Sequence, residues 1–356
     1  MTIRDRTAAF CERFGLGAPI LLAPMAGASA PALSIAVADA GGLGACGALL
    51  MAPSEIVAWA REVRAAGNDR FQINLWTPDP APLRDAVHEQ RVREFLARWG
   101  PVVGADAGDA TPPDFAGQCA ALLEVRPPIV SSVMGLYPPE FVVRLKDRGI
   151  AWFANTSTVA ESKAAEAAGA DVVVVQGAEA GGHRGAFDAT RAEREMVGLV
   201  SLVPAVVDAV QIPVVATGGI ADGRGVAAAL ALGASAVQVG TGFLRAPEAG
   251  IPPAWADALA RAAPEDTVVS RVFSGRPGRS LSTDYVRAAL ADGAPGAAPY
   301  PVQRGLTAAM RMAATKAGDL RRMQAWAGQS AALARADPAR LIVQRLWEEA
   351  VAILHH

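Results

Sequence analysis

Residues 158–183 read TVAESKAAEAAGADVVVVQGAEAGGH, and the order of features in this stretch decides the fold. Thr158 followed three residues later by Glu161 has the form of a capping box, in which hydroxyl and carboxylate satisfy backbone N–H groups at a helix start. Alanine-rich sequence carries the helix to Gly169, and glycine suits the left-handed residue at which helices end. Asp171-Val-Val-Val-Val-Gln176 is continuously apolar rather than alternating, as a strand covered on both faces requires. The chain then turns glycine-rich and reaches His183. Such a helix, strand and loop make one unit of an alternating fold with a parallel sheet.

The unit recurs. Val37-Ala-Asp-Ala-Gly41 precedes Leu43-Gly-Ala-Cys46, Leu145-Lys-Asp-Arg-Gly149 precedes Ile150-Ala-Trp-Phe-Ala154, and Leu230-Ala-Leu-Gly233 precedes Ala236-Val-Gln-Val239. Candidate strands centre on Leu21, Ala45, Ile73, Val130, Phe153, Val174, Val215 and Val237. Eight such units are what a closed (β/α)8 TIM barrel needs; an open, doubly wound α/β sheet is the alternative. Two segments break the rhythm. Residues 77–113 carry Pro78, Pro80, Pro82, Pro101, Pro112 and Pro113 around a helix expected over 86–99, and read as an insertion after the third strand. Residues 246–329 are too long for a simple loop. They are expected to form a mostly helical cap, or substrate domain, inserted after strand eight. Residues 1–245 then form the barrel, and 330–356 return as its closing helix.

Composition narrows the function. With 52% apolar residues in 356, the chain can bury a large core, and its 33 basic and 35 acidic residues leave a net charge of −2. Such a balance offers no excess of cations for polymeric nucleic acid. Cys11, Cys46 and Cys119 are odd in number and widely spaced, without the pairing that marks a metal or dithiol site, so no metal is expected. Free thiols suit a reducing, cytoplasmic setting. The mixed charges of the first residues do not resemble a signal peptide, and no uncharged apolar run is long enough for a membrane span.

In a barrel of this kind chemistry gathers where strands end and the next loops begin. Pro24-Met25-Ala26-Gly27, Asn74, Gln176 with the following Gly181 and Gly182, Thr217-Gly218-Gly219 and Gln238-Val239-Gly240-Thr241-Gly242 fall at those points. Glycines let backbone N–H groups approach an anion, and the helix start beyond them adds favourable partial charge. Either glycine pair alone would serve equally as a tight turn. Two such loops after the seventh and eighth strands, where barrels commonly seat a phosphate, favour a phosphorylated ligand. Asn74 and Gln176 end apolar strands, where an unpaired amide would be costly. A flavin ring, with carbonyl acceptors and N–H donors, would match them; a hydrogen bond to a neighbouring loop is the alternative. His183 lies in what reads as a flexible loop at the barrel mouth, and a free imidazole titrates near neutrality, suiting proton abstraction or charge stabilisation. His88 reads as a surface residue, and His355 with His356 as terminal or tag residues.

At these residues the chain resembles the nitronate monooxygenase family, formerly called 2-nitropropane dioxygenases. The likeness runs through Pro19-Ile-Leu-Leu-Ala-Pro-Met-Ala-Gly27, Gln72-Ile-Asn74, Gln176-Gly-Ala-Glu-Ala-Gly-Gly-His183, Ala216-Thr-Gly-Gly-Ile-Ala-Asp-Gly223 and Gln238-Val-Gly-Thr241. Tyr300-Pro-Val-Gln-Arg304 and Met323-Gln-Ala-Trp-Ala-Gly-Gln-Ser330 resemble the bacterial class. The resemblance implies noncovalent FMN, with Met25, Asn74, Gln176, Gly181, Gly218 and residues 238–241 at the cofactor and His183 as the active-site histidine. It also implies Tyr300 and Lys316 as cap contributions to the substrate pocket. The expected reaction is oxidation of an alkyl nitronate such as propionate 3-nitronate with O2, giving a carbonyl compound and nitrite. An NAD(P)H-dependent reductase of enoyl thioesters or quinones is the principal alternative. A flavin-free barrel similar to IMP dehydrogenase would need a nucleophilic cysteine at the mouth, and a noncatalytic FMN module would leave His183 idle. Arg184, Arg276 and Arg279 could recognise a carboxylate or bind loops. The oligomeric state stays open, a homodimer included.

Overall fold

A computed structural model describes residues 2–28 and 30–355; of the two terminal histidines, His356 lies outside the described residues. The strands are β1 (Ile20–Leu22), β2 (Gly44–Gly47), β3 (Phe71–Trp76), β4 (Ile129–Val133), β5 (Ala151–Thr156), β6 (Val172–Gln176), β7 (Gly182–His183), β8 (Val214–Thr217), β9 (Ala236–Val239), β10 (Thr267–Ser270) and β11 (Gly278–Leu281). The helices are α1 (Ile3–Phe14), α2 (Pro31–Asp39), α3 (Pro53–Ala65), α4 (Ala86–Leu96), α5 (Phe115–Val125), α6 (Pro139–Lys146), α7 (Val159–Ala167), α8 (Leu199–Val207), α9 (Gly223–Ala231), α10 (Pro253–Leu259), α11 (Asp284–Leu290), α12 (Val302–Leu306), α13 (Ala308–Ala317) and α14 (Ala339–Leu354).

Eight parallel strands lie side by side in the order β1-β9-β8-β6-β5-β4-β3-β2. A further parallel bridge, Leu21 to Leu43, joins the two ends. That bridge closes the sheet on itself, which makes the architecture a (β/α)8 barrel and excludes the open doubly wound sheet.

Side chains alternate along each strand, so one register faces the barrel axis. Leu21, Ile129, Phe153, Val174, Val215 and Ala236 share a single apolar cluster there. Two residues further along, the same register becomes polar: Ser131, Asn155, Gln176, Thr217 and Gln238 line the barrel mouth. The opposite end is plugged by α1, whose Phe14 meets Phe153 edge-on at 5.0 Å between ring centroids. The barrel is therefore filled below and open above, with its polarity set by position along the strand.

Beyond β9 the chain forms α10 to α13 and returns in α14, which packs on α2 and α9 through Ile342, Val343, Leu346 and Ala350. Two details differ from the sequence reading. Helix α4 ends at Leu96, and residues 97–99 continue only as turns. The cap also contains a strand pair, β10 with β11, whose outer edge pairs with β7. Four-residue strands leave too short an alternation to stand out among helices. Residues 182 and 183 therefore belong to an antiparallel ladder, with Gly278 opposite His183 and Arg279 opposite Gly182.

Candidate active site

A cleft of about 1530 Å³, counting its open mouth, lies over the strand ends. Its walls come from the ends of all eight barrel strands and from the cap. Pro24, Met25, Ala26, Asn74, Gln176, Gly181, Gly182, His183, Gly218, Gly219, Gln238, Gly240 and Thr241 all line it. Val239 does not, because its strand position turns it away from the mouth, and it is buried. Tyr300 stands behind the lining, with its ring 5.7 Å from that of Trp76. Lys316 lies exposed in the last turn of α13, outside the cleft.

The two glycine turns line the same cleft. Gly218 and Gly219 both have positive φ, 116° and 68°, so glycine is needed for the turn itself. Among the described residues the N–H groups of Gly218, Gly219 and Gly240 donate to no protein acceptor. A cluster of unsatisfied donors at a cleft wall is a ready anion cradle. The start of α9 contributes less than the sequence suggested: Arg224 and Gly225 N–H groups donate to Asp222, and the Gly223 N–H to Glu349. Those carboxylates already occupy the helix terminus. The cradle consequently rests on the turns.

A strap over the turns comes from residues 326–330. The Gly328 N–H donates to Thr241 Oγ1 at 3.0 Å, and Ser330 Oγ donates to the Gly219 carbonyl at 2.6 Å. Gly181 fits beneath it with no room to spare, since a Cβ there would lie 2.5 Å from the Gly328 nitrogen.

The amides divide by role. Gln176 donates from Nε2 to the His183 carbonyl at 3.0 Å and accepts the Gly185 N–H at 2.8 Å. Both ends of its amide therefore hold the loop that presents His183, which is the loop-bonding alternative. Asn74 donates to Ser131 and its Oδ1 accepts from none of the described residues. Gln238 Oε1 accepts from Gln72 at 3.0 Å, so its own Nε2 is the end directed elsewhere. Asn155, which sequence reasoning missed, carries a buried Oδ1 with no hydrogen-bond partner among the described residues. Its signal was the same as that of Asn74 and Gln176: an amide ending an apolar strand.

His183 is half-buried between two indoles, with Trp76 and Trp326 each 4.7 Å away between ring centroids. Its Nε2 is 2.8 Å from Ser274 Oγ, which also lies 3.2 Å from the Arg276 carbonyl. The hydroxyl accepts the Arg276 N–H at 3.3 Å; with its one proton given to the Arg276 carbonyl, Nε2 carries the hydrogen of the His183–Ser274 bond and Nδ1 the lone pair. This tautomer is assigned from the network. Burial, then the positive charges of Arg276, Arg304 and Arg311, push the imidazole pKa down to about 3. The ordinary near-neutral value is thereby displaced, and His183 is an uncharged acceptor at physiological pH. Replacing Ser274 by alanine should leave the ring fold intact but free its tautomer. Loss of one such bond is worth about 1 kcal/mol, so roughly a fivefold fall in turnover with unchanged ligand affinity is expected, read by steady-state kinetics.

The three arginines singled out in the sequence are buried and bind loops. Arg184 donates to the Gly177 and Gln176 carbonyls, Arg279 to Ala178 and Thr267, and Arg276 forms a two-pronged pair with Asp79 at 2.7 and 2.8 Å. Cys46 has a buried thiol pushed up to about 12 by burial, so it is no nucleophile at neutral pH. Among the described residues no cluster of side chains could hold a metal ion, and no helix is long and apolar enough to cross a membrane.

A sequence model of the family described as "Nitronate monooxygenase" matches residues 10–349. Nitronate monooxygenase from Paraburkholderia phytofirmans is 37% identical over 355 residues, covering 98% of this chain and 96% of the relative. The one from Pseudomonas aeruginosa is 38% identical, covering 96% and 98%. Among solved structures, nitroalkane oxidase from Streptomyces ansochromogenes superposes with a TM-score of 0.87 at 37% identity, covering 98% of this chain and 99% of that one. FabK from Thermotoga maritima gives 0.75 at 29%, covering 98% and 97%. With a family match spanning nearly its whole length and relatives at such identity, this chain belongs to the nitronate monooxygenase family, whose members are oxidoreductases.

Proposed function

We propose that the protein oxidises alkyl nitronates with O2, using FMN, to a carbonyl compound and nitrite. The observation that carries this reading is the pair of glycine turns with free N–H groups, lining the same cleft as a neutral histidine. Gly218, Gly219, Gly240 and Thr241 would hold the phosphate, with Pro24, Met25, Ala26, Gly181 and Gly182 packing along the cofactor. Asn74 and Gln238 would meet the ring, each through its uncommitted amide end, while Gln176 would act by fixing the loop. FMN, when bound, supplies the electron acceptor that the side chains of the cleft lack.

The chain's own residues do the rest. Trp76 and Trp326 shield the reacting centre from water, and dehydration strengthens each polar contact inside it. His183 Nδ1 can accept a proton or a hydrogen bond, but it does not supply a positive charge. A substrate that arrives already ionised needs no proton removed, which suits a nitronate better than its neutral acid. Propionate 3-nitronate is one such substrate.

The likeness to FabK carries the second reading, an NAD(P)H-dependent enoyl-thioester or quinone reductase. The two readings part under argon. The nitronate reading expects reduction of the visible flavin band by nitronate and none by NADPH within minutes. Rapid bleaching by NADPH, with no response to nitronate, would replace it by the reductase reading.

A further inference from the structure

The lining of the cleft contains one charged side chain among its described residues, Arg304. Every other lining residue is apolar, glycine, hydroxyl, amide or the neutral His183. Arg304 lies in α12 on the His183 side, where its charge helps depress the imidazole pKa and opposes the burial that raises the Tyr300 phenol.

The three arginines around His183 differ in what they touch. Arg276 is paired with Asp79. Arg311 donates to Thr307 Oγ1, to Gln324 Oε1 and to the Arg304 carbonyl. The Arg304 guanidinium makes no hydrogen bond or ion pair with any described residue. A half-buried guanidinium without a counter-ion is an incomplete arrangement, because its five donors form a fork that matches a planar pair of oxygens. No carboxylate of the cleft can complete it.

We propose that Arg304 is the substrate-recognition residue of this site, completing its fork with two anionic oxygens of the substrate. The occupant is a planar two-oxygen anion with a short apolar body: the fork takes the anion, and Trp76, Trp255 and Trp326 wall the body. The inference rests on the proposed function for the reaction, but not for the binding. A nitronate group and a distal carboxylate share this chemistry. If Arg304 grips the nitronate, every alkyl nitronate depends on it; if it grips a carboxylate, only a substrate carrying both groups does.

The test uses purified holoprotein and its Arg304→Gln and Arg304→Lys variants, each first checked for unchanged flavin content and melting temperature. Sodium propionate and its neutral counterpart propionamide are titrated against tryptophan fluorescence. Propionate affinity should fall about 10- to 100-fold in Arg304→Gln, the range for a lost charge-assisted bond, with partial recovery in Arg304→Lys and no change for propionamide. In turnover, KM for propionate 3-nitronate should rise by a similar factor while kcat moves less than about threefold. Ethyl nitronate compared with propionate 3-nitronate tells which anion is held. Equal propionate binding by wild type and both variants, or parallel losses for propionate and propionamide, would overturn the proposal. If wild type turns over no nitronate yet binds propionate through Arg304, the function fails and the recognition residue stands.

Discussion

His183→Asn is expected to lower turnover of a neutral nitroalkane, whose proton the imidazole would take, by about 10²- to 10⁴-fold, the usual worth of a positioned acid–base group, and turnover of the ionised nitronate far less, with flavin content unchanged. Asparagine preserves a donor and an acceptor but not the imidazole that Ser274 holds by its Nε2 between the two indoles. The pH profile sharpens the expectation. With a folded pKa near 3, His183 stays uncharged from pH 5 to 8, so kcat/KM of the wild type should show no titration of this group there. Stability follows the same shift with a defined sign. Between about pH 3 and 6.5 the unfolded chain binds a proton at this position that the folded chain does not, so stability falls as pH falls through that window and is complete above it. Urea midpoints measured between pH 4 and 7 should slope less in His183→Asn than in wild type. A wild-type rate on the nitroalkane surviving in the variant would remove the imidazole from the chemistry.

Gly240→Asp is expected to abolish stable flavin retention. A Cβ at Gly240 would sit 3.3 Å from Ala23 Cβ and 3.5 Å from Met25 Sδ, tight but tolerable, and its backbone φ of −107° needs no glycine. The substitution therefore adds a carboxylate to the cradle at little cost to the fold. Like charges about 4 Å apart repel by ~4 kcal/mol at an effective dielectric constant of 20, and several kcal/mol lowers FMN affinity by at least about 10²-fold. Gly240→Asn carries the same bulk without the charge and should keep most of the binding. Flavin absorbance after ultrafiltration measures both. Equal retention by the aspartate and asparagine variants would place the phosphate elsewhere.

The eight strands were legible because buried parallel strands write themselves as continuous apolar runs, each reached through a helix that ends on glycine. Asn74, Gln176 and Gln238 were legible for the same reason, as polar residues where that run stops. Asn155 follows the same rule, one residue beyond the apolar run Ile150–Ala154. Ser274 had no local signature, and Arg304 and Trp326 stood in stretches marked only by family resemblance, with no role attached to either. They reach the mouth from a cap more than 80 residues beyond the His183 loop, and nothing in a short window of sequence records which distant segment will fold over it. The choice at Arg184, Arg276 and Arg279 between holding a carboxylate and bonding loops stayed open in the sequence for a comparable reason: whether a guanidinium is satisfied depends on carbonyls and carboxylates that only the tertiary fold supplies.

Mounting His183 on a three-stranded ladder has a kinetic meaning. A histidine on a free glycine loop would sample many placements and lose that freedom at each encounter with substrate. Here the freedom is surrendered once, when β7 zips to β11. Residues 267–270, which touch no reacting atom, thus become partners in the rate: loosening the β10–β11 hairpin would return entropy to the imidazole and slow catalysis from a distance.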